Sequence, residues 1–143
     1  MKHKHILIDN KVEIVEDRDD AVWAMDVDYK LTAFNASFGD RLSKAGWGKP
    51  ERGMDLRPVY QSANFFNPCS KGCAQALDRY PTTSKHTFEE NGELTVHEFS
   101  FQPFMDNSGE VIGCCIWQKD ISQAVKNIHK LQESERRYRE AQE

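Results

Sequence analysis

No stretch of this sequence approaches the roughly 20 consecutive apolar residues of a membrane-spanning helix. The opening Met1-Lys-His-Lys-His-Ile-Leu-Ile-Asp9 lacks the apolar core of a secretory signal. A cytoplasmic location without direct membrane insertion is therefore the expectation. Positive charge is not in excess either. Nineteen Lys and Arg against 23 Asp and Glu leave a net charge of −4, so the basic footprint of a nucleic-acid binder is missing. Cysteine is sparse, and Cys69, Cys73, Cys114 and Cys115 do not form a secreted disulfide framework. Neighbouring Cys114 and Cys115 on a strand point to opposite faces, which disfavours a bridge between them. Reduced thiols acting as small apolar side chains are expected. Cys69 and Cys73 lie one helical turn apart, and two thiols do not make a structural zinc site, so no metal is expected. Repeats, low-complexity tracts and supported catalytic motifs are absent as well. Glu89, Glu90, Glu93 and Asp106 fall in or beside turns, where carboxylates are solvated. The sequence reads as a non-enzyme.

What remains is ordinary globular material with an unusual end. The 143 residues are 38% hydrophobic, 10% aromatic and 29% charged, with a mean hydropathy of −0.73. That is enough for one core and an exposed tail. A strand-like run, Glu110 to Lys119, meets Asp120-Ile121-Ser122 and passes straight into a charged helix. Three parts follow: a lead-in segment over 1–20, a domain over 21–120, and a linker helix over 121–143 toward a further module. The lead-in mixes Ile6-Leu7-Ile8 and alternating Val12 and Ile14 with an acidic run from Glu16 to Asp20, and its pattern fits either a helix or a strand.

From Ala21 the signal sharpens. Ala21 to Val27 and Lys30 to Phe34 read as two strands, with Asn35 as the N-cap of a helix carrying Phe38 and Leu42 on one face. Met54 to Tyr60 suggests short turns. Pro68 opens a helix that presents Cys69, Cys73, Ala76, Leu77 and Tyr80 before Pro81 ends it. His86–Glu90 and Thr95–Pro103 flank Asn91-Gly92, a strong hairpin signal, and Val111–Trp117 is the last strand. The order predicts an α+β domain: a five-stranded antiparallel sheet, short helices on one face, and a C-terminal signalling helix.

This arrangement resembles a PAS domain over roughly residues 20–122 plus the exit helix. The opening is carried by Val22-Trp-Ala-Met-Asp-Val-Asp-Tyr-Lys-Leu-Thr-Ala-Phe-Asn35. The close is carried by Phe99-Ser-Phe-Gln-Pro-Phe-Met-Asp-Asn-Ser-Gly-Glu-Val-Ile-Gly-Cys-Cys-Ile-Trp-Gln-Lys-Asp-Ile-Ser122, where Ser stands for the usual Thr. The resemblance implies a sensory or dimerisation module without catalysis of its own. Such a module serves a multi-domain signalling protein, for example a sensor histidine kinase of a two-component system or a diguanylate cyclase. It also implies a homodimer, a downstream output domain and a possible small-molecule ligand. Haem-binding members take an axial His from the helix before the third strand, and Pro68–Tyr80 holds none. Photoactive flavin members carry an Asn-Cys-Arg-Phe-Leu-Gln-like helix, which Asn67-Pro-Cys69 matches only in outline. The cofactor is thus unknown, with haem and covalent flavin not expected.

The ligand pocket expected between helices and sheet comprises Trp23, Met25, Asn35, Leu42, Met54, Leu56, Leu77, Phe99, Phe101, Cys115 and Trp117, with Asn35 and Ser100 as its polar groups. The same residues could simply fill a core. Signal transmission falls to Asp120, Ile121, Ser122, Val125 and Ile128, on a stripe that continues to Leu131 and Tyr138 as a short coiled-coil linker. Asp120 is placed to stabilise the positive end of the helix. Two alternatives stand beside a sensory module: a ligand-free dimerisation spacer, and a small cone-shaped α+β enzyme using His97.

Overall fold

The structure, a computed structural model, describes residues 5–8, 11–14, 20–62 and 64–142. Two short strands come first, β1 (His5–Ile8) and β2 (Lys11–Ile14), paired antiparallel with each other. The apolar patches of the lead-in thus form a hairpin, while most of the acidic run falls outside the described residues.

The main body is one antiparallel sheet in the order β4-β3-β7-β6-β5. Its strands are β3 (Ala21–Asp26), β4 (Leu31–Phe34), β5 (Thr82–Glu90), β6 (Glu93–Met105) and β7 (Val111–Asp120). Between β4 and β5 run α1 (Ala36–Lys44), α2 (Arg57–Ser62), a 3-10 turn (Asn64–Phe66) and α3 (Pro68–Leu77). The chain leaves through α4 (Ser122–Gln142). The five expected strands, the helices between them and the exit helix are all present.

The turns explain themselves locally. Asn91 and Gly92 both take positive φ, 52° and 80°, as a two-residue hairpin requires. The β3–β4 turn has no such pair. There Tyr29 itself adopts φ 63°, and the Asp26 carboxylate accepts the amides of Asp28 at 2.9 Å and Lys30 at 3.0 Å. Helix α3 ends at Leu77, short of the expected Tyr80. Arg79 turns to φ 74°, and the N–H groups of Arg79 and Tyr80 donate to the carbonyls of Ala76 and Gln75, a Schellman closure that acts before Pro81 is reached.

The core lies between the helices and the inner face of the sheet. Trp23, Met25, Phe38, Leu42, Leu56, Tyr60, Phe66, Phe99, Phe101 and Ile116 are buried there with Cys69, Cys73 and Cys114. Each large side chain contributes on the order of 1.5–3 kcal/mol by leaving water. Gly72 lets α3 close on the sheet, since a Cβ there would overlap the Phe101 ring. A second, smaller apolar cluster occupies the opposite face: Val22, Ala24, Ala33, Phe104 and Cys115, with Ile112 and Trp117 packed against it.

Candidate functional site

The expected pocket residues separate into two groups. Trp23, Met25, Leu42, Leu56, Phe99 and Phe101 are fully buried on the inner face, with Met54 and Leu77 at the margin of the same cluster. Cys115 and Trp117 are not among them. Register pairs Trp23 with Ile116 and Met25 with Cys114, so Cys114 and Ile116 face the helices and Cys115 and Trp117 face away. Strand β7 is central and apolar on both sides, so alternation alone could not orient it. Ser100 pairs with Trp117 and also lies off the inner face.

Where the sequence suggested a cavity, side chains meet. Trp23 packs on Phe38 with ring centroids 4.6 Å apart and edge-on to Phe66 at 5.7 Å. Its indole N–H donates to the Tyr60 hydroxyl at 3.0 Å, and that hydroxyl lies 3.6 Å from Met25 Sδ. Burial pushes the Tyr60 phenol and the Cys69 and Cys73 thiols well up, so all stay neutral and act as packing groups. Asn35 is a clamp. Its Oδ1 accepts the N–H groups of Phe38 and Val22, and its Nδ2 donates to the carbonyl of Asp20, tying α1 to the start of β3.

An open cleft lies elsewhere. Its volume is about 640 Å³, and it is lined by Arg41, Lys44 and Ala45 at the end of α1, Asn64 and Phe65 of the 3-10 turn, and Glu90 and Asn91 at the β5–β6 turn. None of the sequence-predicted pocket residues lines it. The Arg41 guanidinium lies 4.3 Å over the Phe65 ring and donates through Nη1 to Glu90 Oε1 at 2.6 Å. The same carboxylate oxygen stands 3.8 Å from Nε2 of His97.

His97 is the buried floor behind this cleft. Fully shielded from solvent, it lies edge-on to Phe65 with ring centroids 5.1 Å apart. Its Nδ1 meets the Gln118 amide and its Nε2 the Thr95 hydroxyl at 3.1 Å. With Gln118 Nε2 donating to Nδ1, the ring proton resides on Nε2, directed to Thr95 and the Glu90 side. Burial holds the imidazole pKa below its usual value, and the Arg41 charge lowers it further, against the opposing pull of Asp120 and Glu90. At neutral pH His97 is uncharged.

One residue before His97, Val96 grips the root of α4. Its carbonyl accepts the Ile121 N–H at 2.8 Å, and its N–H donates to Ser122 Oγ at 2.8 Å. The Ser122 hydroxyl therefore holds the neighbouring strand, while Asp120 Oδ1 accepts the Ser122 N–H at 2.9 Å. Partial burial pushes the Asp120 carboxyl up, but hydrogen bonds from Ser122, the charge His97 takes on once protonated in acid, and the Arg41 charge leave it below its usual value. Ile121 and Val125 are half-buried, whereas Ile128 is 54% exposed. Among the described residues, no group of three or more His, Cys, Asp or Glu is arranged to hold a metal, and no helix is long and apolar enough to cross a membrane.

Sequence reasoning missed Arg41, Phe65 and Glu90. Asn91-Gly92 marked the turn beside Glu90, but nothing in the sequence linked that turn to α1, 49 residues away.

The sequence matches no protein-family model and no curated protein. Solved structures do match. The PAS domain of Bordetella pertussis BvgS superposes with a TM-score of 0.56 at 14% identity, covering 83% of this chain and 88% of that one. A sensory box sensor histidine kinase from Vibrio cholerae gives 0.51 at 15% identity, covering 71% and 82%. The phage VqmA–DPO complex gives 0.56 at 16% identity, covering 82% of this chain and 54% of that one.

Proposed function

The chain has the PAS fold, and from that premise we propose that it is a non-catalytic sensory module. In this reading it binds a small ligand at the cleft beside Arg41, pairs with a second copy, and passes a conformational signal through α4 to an output domain. The observation that carries the proposal is the pair of hydrogen bonds from Val96 to the root of α4, one residue from His97. Any change in the Arg41–Glu90–His97 contacts acts on β6, and β6 holds Ile121 and Ser122 through main-chain groups. A likeness to a sensor histidine kinase and to a phage VqmA–DPO complex supports the class of function.

The test needs no ligand. Glu90→Gln removes the charge shared by Arg41 and His97, so amide exchange at Ile121, Ser122 and Val125 should rise several-fold relative to the β3 and β7 core. Adding Ser122→Ala, which removes the hydroxyl anchor, should abolish that response. Unchanged exchange at the junction in Glu90→Gln would reject transmission along this route.

A ligand-free dimerisation spacer is the second reading. It is favoured by the filled inner core, where Trp23, Met25, Phe99 and Phe101 are fully buried. The cleft beside Arg41 is what weighs against it.

A further inference from the structure

Resting on the sensory reading and deepening it, we propose that the cleft between α1 and the β5–β6 turn takes a small organic dianion. One carboxylate would sit on the Arg41 guanidinium and the second anionic group beside Lys44.

Arg41 is prepared for this before a ligand arrives. Its guanidinium is fixed by stacking on Phe65 at 4.3 Å and by Nη1 on Glu90 at 2.6 Å. A guanidinium already oriented loses less freedom on binding than one free in solvent. Among the described residues, its Nε and Nη2 make no hydrogen bond, Nη1 alone being committed to Glu90. The Nε/Nη2 edge is the planar fork that a carboxylate engages with both oxygens.

Lys44 supplies the second charge. It follows Arg41 by three positions on α1, is exposed, and makes no ion pair among the described residues. Side chains at that spacing start about 5–6 Å apart, a span that suits anionic groups separated by a few carbons. Both cations also complement the negative end of α1. That bland role needs neither the cleft nor an oriented fork. Opposite them, Asn64 and Asn91 line the cleft with side-chain amides that make no hydrogen bond among the described residues, available to a hydroxyl or carbonyl on the ligand's body. The roughly 640 Å³ volume lies within the range of small-molecule clefts. Among the described residues, Glu90 is the one acidic residue that lines it. An arriving carboxylate competes with it for Arg41 and frees it toward His97.

Calorimetric titration of the whole chain with succinate and with citrate, at fixed ionic strength, tests the site. Inorganic phosphate at the same concentration is the control. At least one carboxylate should bind, Arg41→Gln should weaken it tenfold or more, and Lys44→Gln should weaken it several-fold. Lys44 is exposed, so that variant tests the site even if Arg41→Gln unsettles the fold. Glu90→Gln should bind as tightly or more tightly. The proposal is overturned if neither succinate nor citrate binds, if Lys44→Gln binds both unchanged, or if phosphate matches them. A spin label on Ser134→Cys, selective because Cys69, Cys73, Cys114 and Cys115 are buried, separates this outcome from the broader reading. Carboxylate binding with no change at α4 sustains the site and sinks signal transmission. A junction that responds to Glu90→Gln in a chain that binds no carboxylate does the reverse.

Discussion

His97 couples the cleft to proton concentration. Its folded-state pKa lies below its ordinary 6.5, first because it is buried and second because Arg41 is close. The unfolded chain therefore binds a proton that the folded chain resists. Stability from this residue is fully present above the ordinary value and is lost as pH falls toward the folded pKa. Protonation would also turn Nδ1 into a donor, forcing the Gln118 amide to present oxygen instead of nitrogen. His97→Gln should flatten the decline of thermal midpoint between about pH 7.5 and 5.5, a window in which histidine is the ordinary titrating side chain. A decline as steep in the variant as in the parent chain would show that other groups set the acid limb. The inward side of His97 was legible, because it shares alternation with Phe99 and Phe101. Its neighbours were not. Arg41, Phe65 and Glu90 come from three separate elements, and only the packed fold brings them to one imidazole.

At the scale of elements, strand β7 shows most plainly what a pattern can and cannot specify. The run Val111 to Trp117 announced a strand, and within it the structure places Gly113 at a close approach of two backbones. That approach is to β3: a Cβ on Gly113 would collide with the Met25 carbonyl oxygen and press on the Phe104 ring. Because residues on both sides of β7 are apolar, the sequence left its facing open, and Cys115 and Trp117 were expected on the wrong side. Pairing with β3 decides the matter through Met25–Cys114 and Trp23–Ile116. Gly113→Ala should cost about 1–3 kcal/mol, the usual range for forcing extra volume into a close-packed site. In urea this reads as a lower midpoint with unchanged slope. An unaltered midpoint would mean that β3 and β7 can move apart freely, and the central register would lose its assigned role.

The whole molecule is a packed body with a rod attached. Helix α4 is 21 residues long, about 31 Å at 1.5 Å per residue, and among the described residues it buries no side chain fully. Arg136 and Arg137 pair with Glu133 at 3.3 and 3.2 Å, contacts worth only a few tenths of a kcal/mol each on an exposed helix. Ile128, Leu131 and Tyr138 are 54%, 61% and 67% exposed. A helix with this composition is marginal by itself and needs a partner surface. If two copies supply that surface to each other, sedimentation should show mass rising toward a dimer with concentration. Ile128→Glu with Leu131→Glu should then return the chain to a monomer while leaving the thermal midpoint of the sheet unchanged. Amides from about residue 126 onward should exchange faster in that variant, because the helix would have lost its support. If the doubly charged variant sediments and exchanges like the parent chain, the stripe is a solvated linker surface, and signal leaving through Ile121 and Ser122 must be read by some other contact.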